Sequence, residues 1–174
     1  MGRATRLQPA RVTRAGIVLG LSLGGFADGI LLHQVLQWHH MLTSVEDQTI
    51  RNDVELNTLA DGLFHVATWI MAVLGLTLLW RARWEFGALV WGRAFVGALL
   101  IGAGLFNLVE GLIDHHLLGI HHVRTDVGDV LLWDLGFLAL GLVLVIAGWL
   151  LLRSRPQLWV PASREELLGD RQRP

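Results

Sequence analysis

The chain has 174 residues, 53% of them hydrophobic, and a mean hydropathy of +0.50, which is too apolar for a soluble domain of this length and points to membrane insertion. A net charge of −1 supplies no basic excess for nucleic acid. The lack of cysteine excludes disulfides, thiolate metal sites and iron–sulfur clusters together.

Residues 1–14 hold Arg3, Arg6, Arg11 and Arg14 and read as a cytoplasmic, arginine-rich arm. A first apolar run covers 15–38. Glu46, Asp47, Asp53 and Glu55 then form an acidic loop before a second run at 58–80. Arg81, Arg83 and Arg93 mark the next connection, followed by runs at 94–117 and 128–152. A bilayer core of about 30 Å needs about 20 helical residues, which each run supplies. Residues 153–174 carry five further arginines and read as a cytoplasmic, disordered tail. Only Arg51 and Arg124 fall on the other side, so the positive-inside rule puts both termini in the cytoplasm. Trp80, Trp84, Trp91 and Trp149 then belong to the inner interface, Trp38 and Trp133 to the outer one.

A shift of 82 residues lays the first run on the third. Asp28 meets Glu110, His33 meets His115, and the doublet His39-His40 meets His121-His122 without a gap. A shift of 73 pairs the second and fourth runs more loosely, with Asp61 on Asp134 and Phe64 on Phe137. The expected fold is an all-α integral membrane protein whose transmembrane domain, 15–152, is two tandem-duplicated helical hairpins around a pseudo-twofold axis. Parallel repeats of this kind place their sites at the repeat interface. Small residues every four positions, Gly16, Gly20 and Gly24 against Ala94, Ala98 and Gly102, predict close packing there.

Polar groups collect at one depth. At about 1.5 Å per residue, Asp28 and His33 lie about 21 and 28 Å beyond Arg14. Counted from their own inner arginines, Asn107, Glu110, Asp114, His65, Asp61 and Asp134 fall between about 21 and 31 Å. Charge at such depth costs roughly 2.5–3.5 kcal/mol per carboxylate on insertion scales, so it needs partners. No arginine is expected at that level, and protonation of some carboxylates, or of the histidines, is one way to balance the charge. A divalent cation neutralises two carboxylates and uses neutral imidazoles as ligands. The candidate ligands are therefore Asp28, His33, Asp61, His65, Glu110, Asp114, His115 and Asp134. His39, His40, Asn107, His116, His121 and His122 are additional ligands or supporting groups, with the doublets capping the layer toward outer water.

The stretches "DGILLHQVLQWHH" and "FNLVEGLIDHHLLGIHHV" resemble the signature segments of a family of bacterial four-helix integral membrane proteins that is defined as a domain of unknown function. The resemblance runs from about residue 15 to 152. It implies a multi-pass protein of the bacterial inner membrane and no particular reaction.

The chemistry of the layer suggests a metal-dependent oxidoreductase with one or two iron or copper ions, acting on an apolar or amphiphilic substrate that arrives from the outer leaflet. Zinc would instead suit a lipid hydrolase with metal-activated water. A non-enzymatic alternative hands copper or another ion to a membrane or periplasmic partner. Haem ranks last, because carboxylates crowd every histidine that could serve as an axial ligand. Proton conduction finds no polar path on the cytoplasmic half. The partners expected are the bilayer and either a second protein or further copies of the chain.

Overall fold

The computed structural model describes residues 10–82 and 88–154. The first nine residues, Arg83, Trp84 and the tail from 155 lie outside the described residues, as do the expectations attached to them. The side chains of residues 88–91, Trp91 among them, also lie outside the described part.

Four helices are long and apolar enough to cross a membrane, and no strand occurs among the described residues. Helix α1 (Ala10–Ala27) continues without a break into a π-helical segment, π1 (Asp28–Val35). A short α2 (Gln48–Arg51) precedes α3 (Val54–Ala82). Helix α4 (Ala88–Glu110) runs on into π2 (Gly111–Leu117), and α5 (Val130–Arg153) closes the order. Helix α1 starts ahead of the apolar run because Arg11 and Arg14 extend a helix at little cost in propensity. At its C-terminal end the continuous α1–π1 helix stops at Val35, three residues short of expectation, and the first doublet lies on the loop beyond it.

The helices stand in a row, α3–α1–α4–α5, rather than in a closed square. Helices α1 and α4 form the centre, with α3 packed on α1 and α5 packed on α4. The central crossing is close because it is glycine on glycine. A Cβ on Gly20 would lie 2.8 Å from the Gly102 Cα, and a Cβ on Gly102 equally close to the Gly20 Cα. Each would also run into a carbonyl of the facing helix, Leu99 for Gly20 and Ile17 for Gly102. Gly97 and Gly148 repeat the device between α4 and α5. Close backbone approach replaces the hydrophobic drive that lipid surroundings remove. Val12, Ala82 and Ala94 meet at the end that holds the start of α1, which fixes α1, α3 and α4 as alternately up and down. Helices α3 and α5 are apolar around most of their circumference. Their outward Leu63, Trp69, Leu142 and Val143 remain exposed, as lipid-facing side chains do.

The duplication holds in the backbone. Both π segments begin at the equivalent carboxylates, π1 at Asp28 and π2 one residue after Glu110. Both end through the same pair of bonds: Leu36 N–H to Leu31 O (2.8 Å) and Trp38 N–H to Leu32 O (2.9 Å), matched by Leu118 to Ile113 (2.7 Å) and Ile120 to Asp114 (3.0 Å). The residue between is left-handed in both repeats, Gln37 at φ 51° and Gly119 at φ 60°. π-helical turns are rare and gather at functional sites.

Candidate metal centre

Asp61 on α3 organises the first half. Its Oδ1 accepts from Met41 N–H (2.9 Å) and from His33 Nδ1 (2.8 Å), and its Oδ2 accepts from His40 Nδ1 (2.7 Å). Asp134 on α5 repeats the pattern. Its Oδ1 accepts from Val123 N–H (3.0 Å) and stands 3.5 Å from His115 Nδ1, while its Oδ2 accepts from His122 Nδ1 (2.7 Å). Both carboxylates are buried, and both occupy the Nδ1 edge of a buried histidine. That leaves each histidine's Nε2 to face inward.

The first members of the doublets cross the axis. His39 Nδ1–H donates to the Val123 carbonyl (2.9 Å), and His121 Nδ1–H to the Met41 carbonyl (3.3 Å). A carbonyl only accepts, so neutral His39 keeps its lone pair on Nε2, whereas His121 Nε2 also stands within hydrogen-bond distance of Glu110 Oε1 (2.7 Å). Ser44 N–H to Ile120 O (2.8 Å) ties the same two loops. Asn57 holds the first loop in place by accepting from Leu42 N–H (3.0 Å) and donating to the Asp53 carbonyl (2.9 Å). His39 and His121 are 2% and 0% exposed, so these doublet members sit inside the layer and not above it.

Four imidazoles thus converge. His33 and His121 centroids are 5.7 Å apart, His39 and His121 are stacked at 4.7 Å, and His115 lies 4.9 Å from His121. Two carboxylates close the ring. Asp28 Oδ2 is 3.1 Å from His33 Nε2, and Glu110 Oε1 is 3.0 Å from His115 Nε2 and 2.7 Å from His121 Nε2. Two three-ligand groups result, His33–His39–His121 and Glu110–His115–His121, each with its ligand atoms within 4.8 Å of one another and with His121 common to both.

The donor set fits a cation. His33 Nε2, His39 Nε2, His115 Nε2, Asp28 Oδ1 and Glu110 Oε2 are buried without a hydrogen-bond partner. Lone pairs facing carboxylate oxygens repel unless something positive lies between them. Separations near 3 Å are what neighbouring ligands show when each is about 2.1 Å from one metal. Burial also holds His39, in the loop beyond the first span, far below the usual imidazole value of 6.5, at about 3. The nearby His121 and His33 add to that effect. A neutral imidazole is the ligating form.

The remaining candidates lie elsewhere. Asp61 and Asp134 stand behind the ring as orienting groups. His40 and His122 cover them from the outer side, with side chains 41% and 31% exposed. His65 donates from Nδ1 to the Asp61 carbonyl (2.8 Å) and points its Nε2 at Gly29, away from the ring. His116 donates back to the Gly111 carbonyl (2.8 Å) on the exposed face of π2. Asp114 is half-buried and outside both three-ligand groups. Asn107 is buried against the α4–α5 contact near Gly141. Helical spacing alone does not distinguish ring from support, because it carries no information on which ring nitrogen points inward.

No curated protein and no solved structure matches the chain. Over residues 15–155 it matches the family described as "Predicted membrane protein (DUF2243)". Four apolar spans, a hairpin repeated once and a match across most of its length show that the chain belongs to this family of membrane proteins.

Proposed function

We propose that the protein is a metal-dependent oxidoreductase of the bacterial inner membrane, with iron or copper held by His33, His39, His115, His121, Asp28 and Glu110. The observation that carries this reading is the convergence of the buried His33, His115 and His121 Nε2 atoms on Asp28 and Glu110, with His39 stacked beside them and with Nδ1 held by a carboxylate in His33 and by a carbonyl in His39 and His121. Bundle-core metal proteins project carboxylates and histidines inward from different helices in the same way. Imidazole suits iron, copper and zinc alike, and the carboxylates favour the harder iron. His121, shared by the two groups, accommodates one ion or two. The bound metal would supply the electron transfer. The chain's own part is to fix tautomers through Asp61, Asp134 and the two carbonyls, and to keep bulk water out through the paired loops. With both termini cytoplasmic, as the arginines favour, the centre lies beneath the extracytoplasmic face and its substrate is a membrane-dissolved, apolar or amphiphilic molecule.

Elemental analysis of the purified protein, with an optical spectrum, tests the reading. Stoichiometric iron or copper is expected. A protein free of iron, copper and zinc after supplementation of growth medium and purified sample overturns it.

One observation favours a second reading, a non-enzymatic metal handler. His40 and His122 are partly exposed and are joined through Asp61 and Asp134 to the buried ring, a layout suited to passing an ion inward or outward. Rapid transfer of bound metal to an external chelator, without turnover of any lipid-soluble substrate, would select it.

A further inference from the structure

A groove of about 610 Å³ runs between α1–π1 and α5. Trp38 and Trp133 line its outer end, Gly24 and Leu140 its inner end, and Leu31 and Phe137 its walls. Arg124 lies over both tryptophan rings, at 4.9 and 5.2 Å. The volume is that of a site for a molecule of moderate size. Because α1 and α5 are not packed on each other, the groove opens sideways, where the bilayer lies.

Two polar side chains interrupt this apolar lining. Asp28 and Asn107 are 4% and 7% exposed, and both border the groove. Asp28 turns Oδ2 toward His33 and leaves Oδ1 unpartnered. No hydrogen bond reaches the Asn107 amide among the described residues. A carboxylate oxygen buried without a partner costs free energy that a ligand can recover, and the Asn107 amide offers a donor on the same groove.

The repeat shows that the groove is a feature of one half. At the equivalent positions, Gly24 is answered by Phe106, Gly136 by Leu63 and Asn107 by Gly25. The Phe106 ring fills the space on its side, 6.0 Å from the Phe64 ring. Where the other half has bulk, this half has two glycines, and where the other has glycine, this half has an amide.

We propose that the groove binds a single-chain membrane amphiphile with an uncharged hydroxyl head, a long-chain alcohol, and presents that head beside the metal centre. The inference rests on the oxidoreductase reading above for its link to chemistry. One hydroxyl serves both groups: its oxygen accepts from the Asn107 amide and its proton goes to Asp28 Oδ1. The alkyl chain covers the leucine and phenylalanine walls. A carboxylate head meets repulsion from Asp28, and a quaternary ammonium head offers Asn107 nothing to donate to and Asp28 nothing to accept. Asp28 then touches the ligand with one oxygen and the ring of imidazoles with the other.

The test uses a hexadecanol carrying a photoactivatable diazirine on its chain, with the full-length protein in lipid nanodiscs, and adducts located by mass spectrometry. Adducts are expected at Leu31, Leu132, Phe137 and Leu140, displaced by plain hexadecanol and not by palmitate or hexadecyltrimethylammonium. Gly136→Leu, whose Cβ meets nothing within 4 Å, copies the other repeat and is expected to abolish these adducts with metal content unchanged. Asn107→Leu removes one hydrogen bond and is expected to weaken displacement by hexadecanol about tenfold, with labelling by an alkane diazirine unaltered. Labelling spread evenly over α3 and α5, or unchanged in Gly136→Leu, overturns the proposal, and preferential displacement by palmitate or the ammonium amphiphile overturns the choice of head group. Metal content is measured on the same samples. Groove labelling in a protein that takes up no metal overturns the oxidoreductase reading alone, and bound metal without groove labelling overturns this inference alone.

Discussion

The imidazoles of His39 and His121 lie face to face, 4.7 Å between centroids and 9° between planes, and each donates to a backbone carbonyl beside the other's doublet. They come from different repeats and meet on the axis between them. His121 belongs to both candidate ligand groups and His39 to one. Replacing His121 with alanine is therefore expected to abolish metal binding, and His39→Ala to lower it less. Metal per protein, measured after purification in the same detergent, checks the order. Equal retention in both variants would move the site away from the axis.

In the proposed centre Asp61 and Asp134 would act on the metal through the histidines they face. Substitution of such supporting carboxylates costs about 10–100-fold in metal affinity. Asp61→Asn and Asp134→Asn are each expected to lie in that range, because each carboxylate takes one loop N–H and one outer histidine and faces the Nδ1 edge of a ring histidine. Titration against a competing chelator measures it. A loss far larger in one than in the other would contradict the twofold arrangement.

His65 is expected to be dispensable for the metal. The other repeat holds Leu138 at its position, and its Nε2 is directed at Gly29. His65→Leu should leave metal content and affinity unchanged, as read by elemental analysis, whereas Glu110→Ala should reduce both.

Gln37 and Gly119 share a left-handed backbone, which costs a residue with a side chain roughly 1–2 kcal/mol. Gln37→Gly relieves that strain and is expected to stabilise the protein by about 1 kcal/mol after glycine's own entropy is counted. Gly119→Gln should destabilise by a similar amount. Thermal unfolding in detergent gives both signs.

Acid should weaken the metal-free protein partly through His39. Its folded-state value of about 3 lies below the usual 6.5, so the unfolded chain binds this proton more readily. The stability His39 contributes is complete above pH 6.5 and is lost as pH falls toward about 3. Unfolding after chelation, followed from pH 7.5 downward, should show a slope that shrinks in His39→Gln. An identical slope in the variant would mean that His39 is not held neutral.

Much of this was legible in the chain. The shift of 82 aligned Asp28, His33 and both doublets with residues that the structure puts in corresponding places, and alternate glycines marked the central crossing. The eight proposed ligands were gathered by depth, and depth could not separate them by role. Asp61 and Asp134 lie at the same level as Asp28 and Glu110, yet contact the opposite edge of the same histidines. Ideal helical spacing put His33 and His40 on one face, but the π segment and the left-handed Gln37 turn the chain before His39 and fold that histidine inward. The row of helices was also hidden, because an apolar helix reads the same whether it meets lipid or another helix. The groove follows from that row and from Gly24 and Gly136, whose meaning emerges only beside Phe106 and Leu63.

The crossed loops have a kinetic consequence. His39 reaches over to Val123, His121 to Met41, and Ser44 to Ile120, so the backbone of each half roofs the ring on behalf of the other. An ion bound beneath this roof leaves only when the two straps part together, which sets a long residence time even where equilibrium affinity is modest. Exchange with free metal should therefore run at the pace of loop opening, not of ligand dissociation.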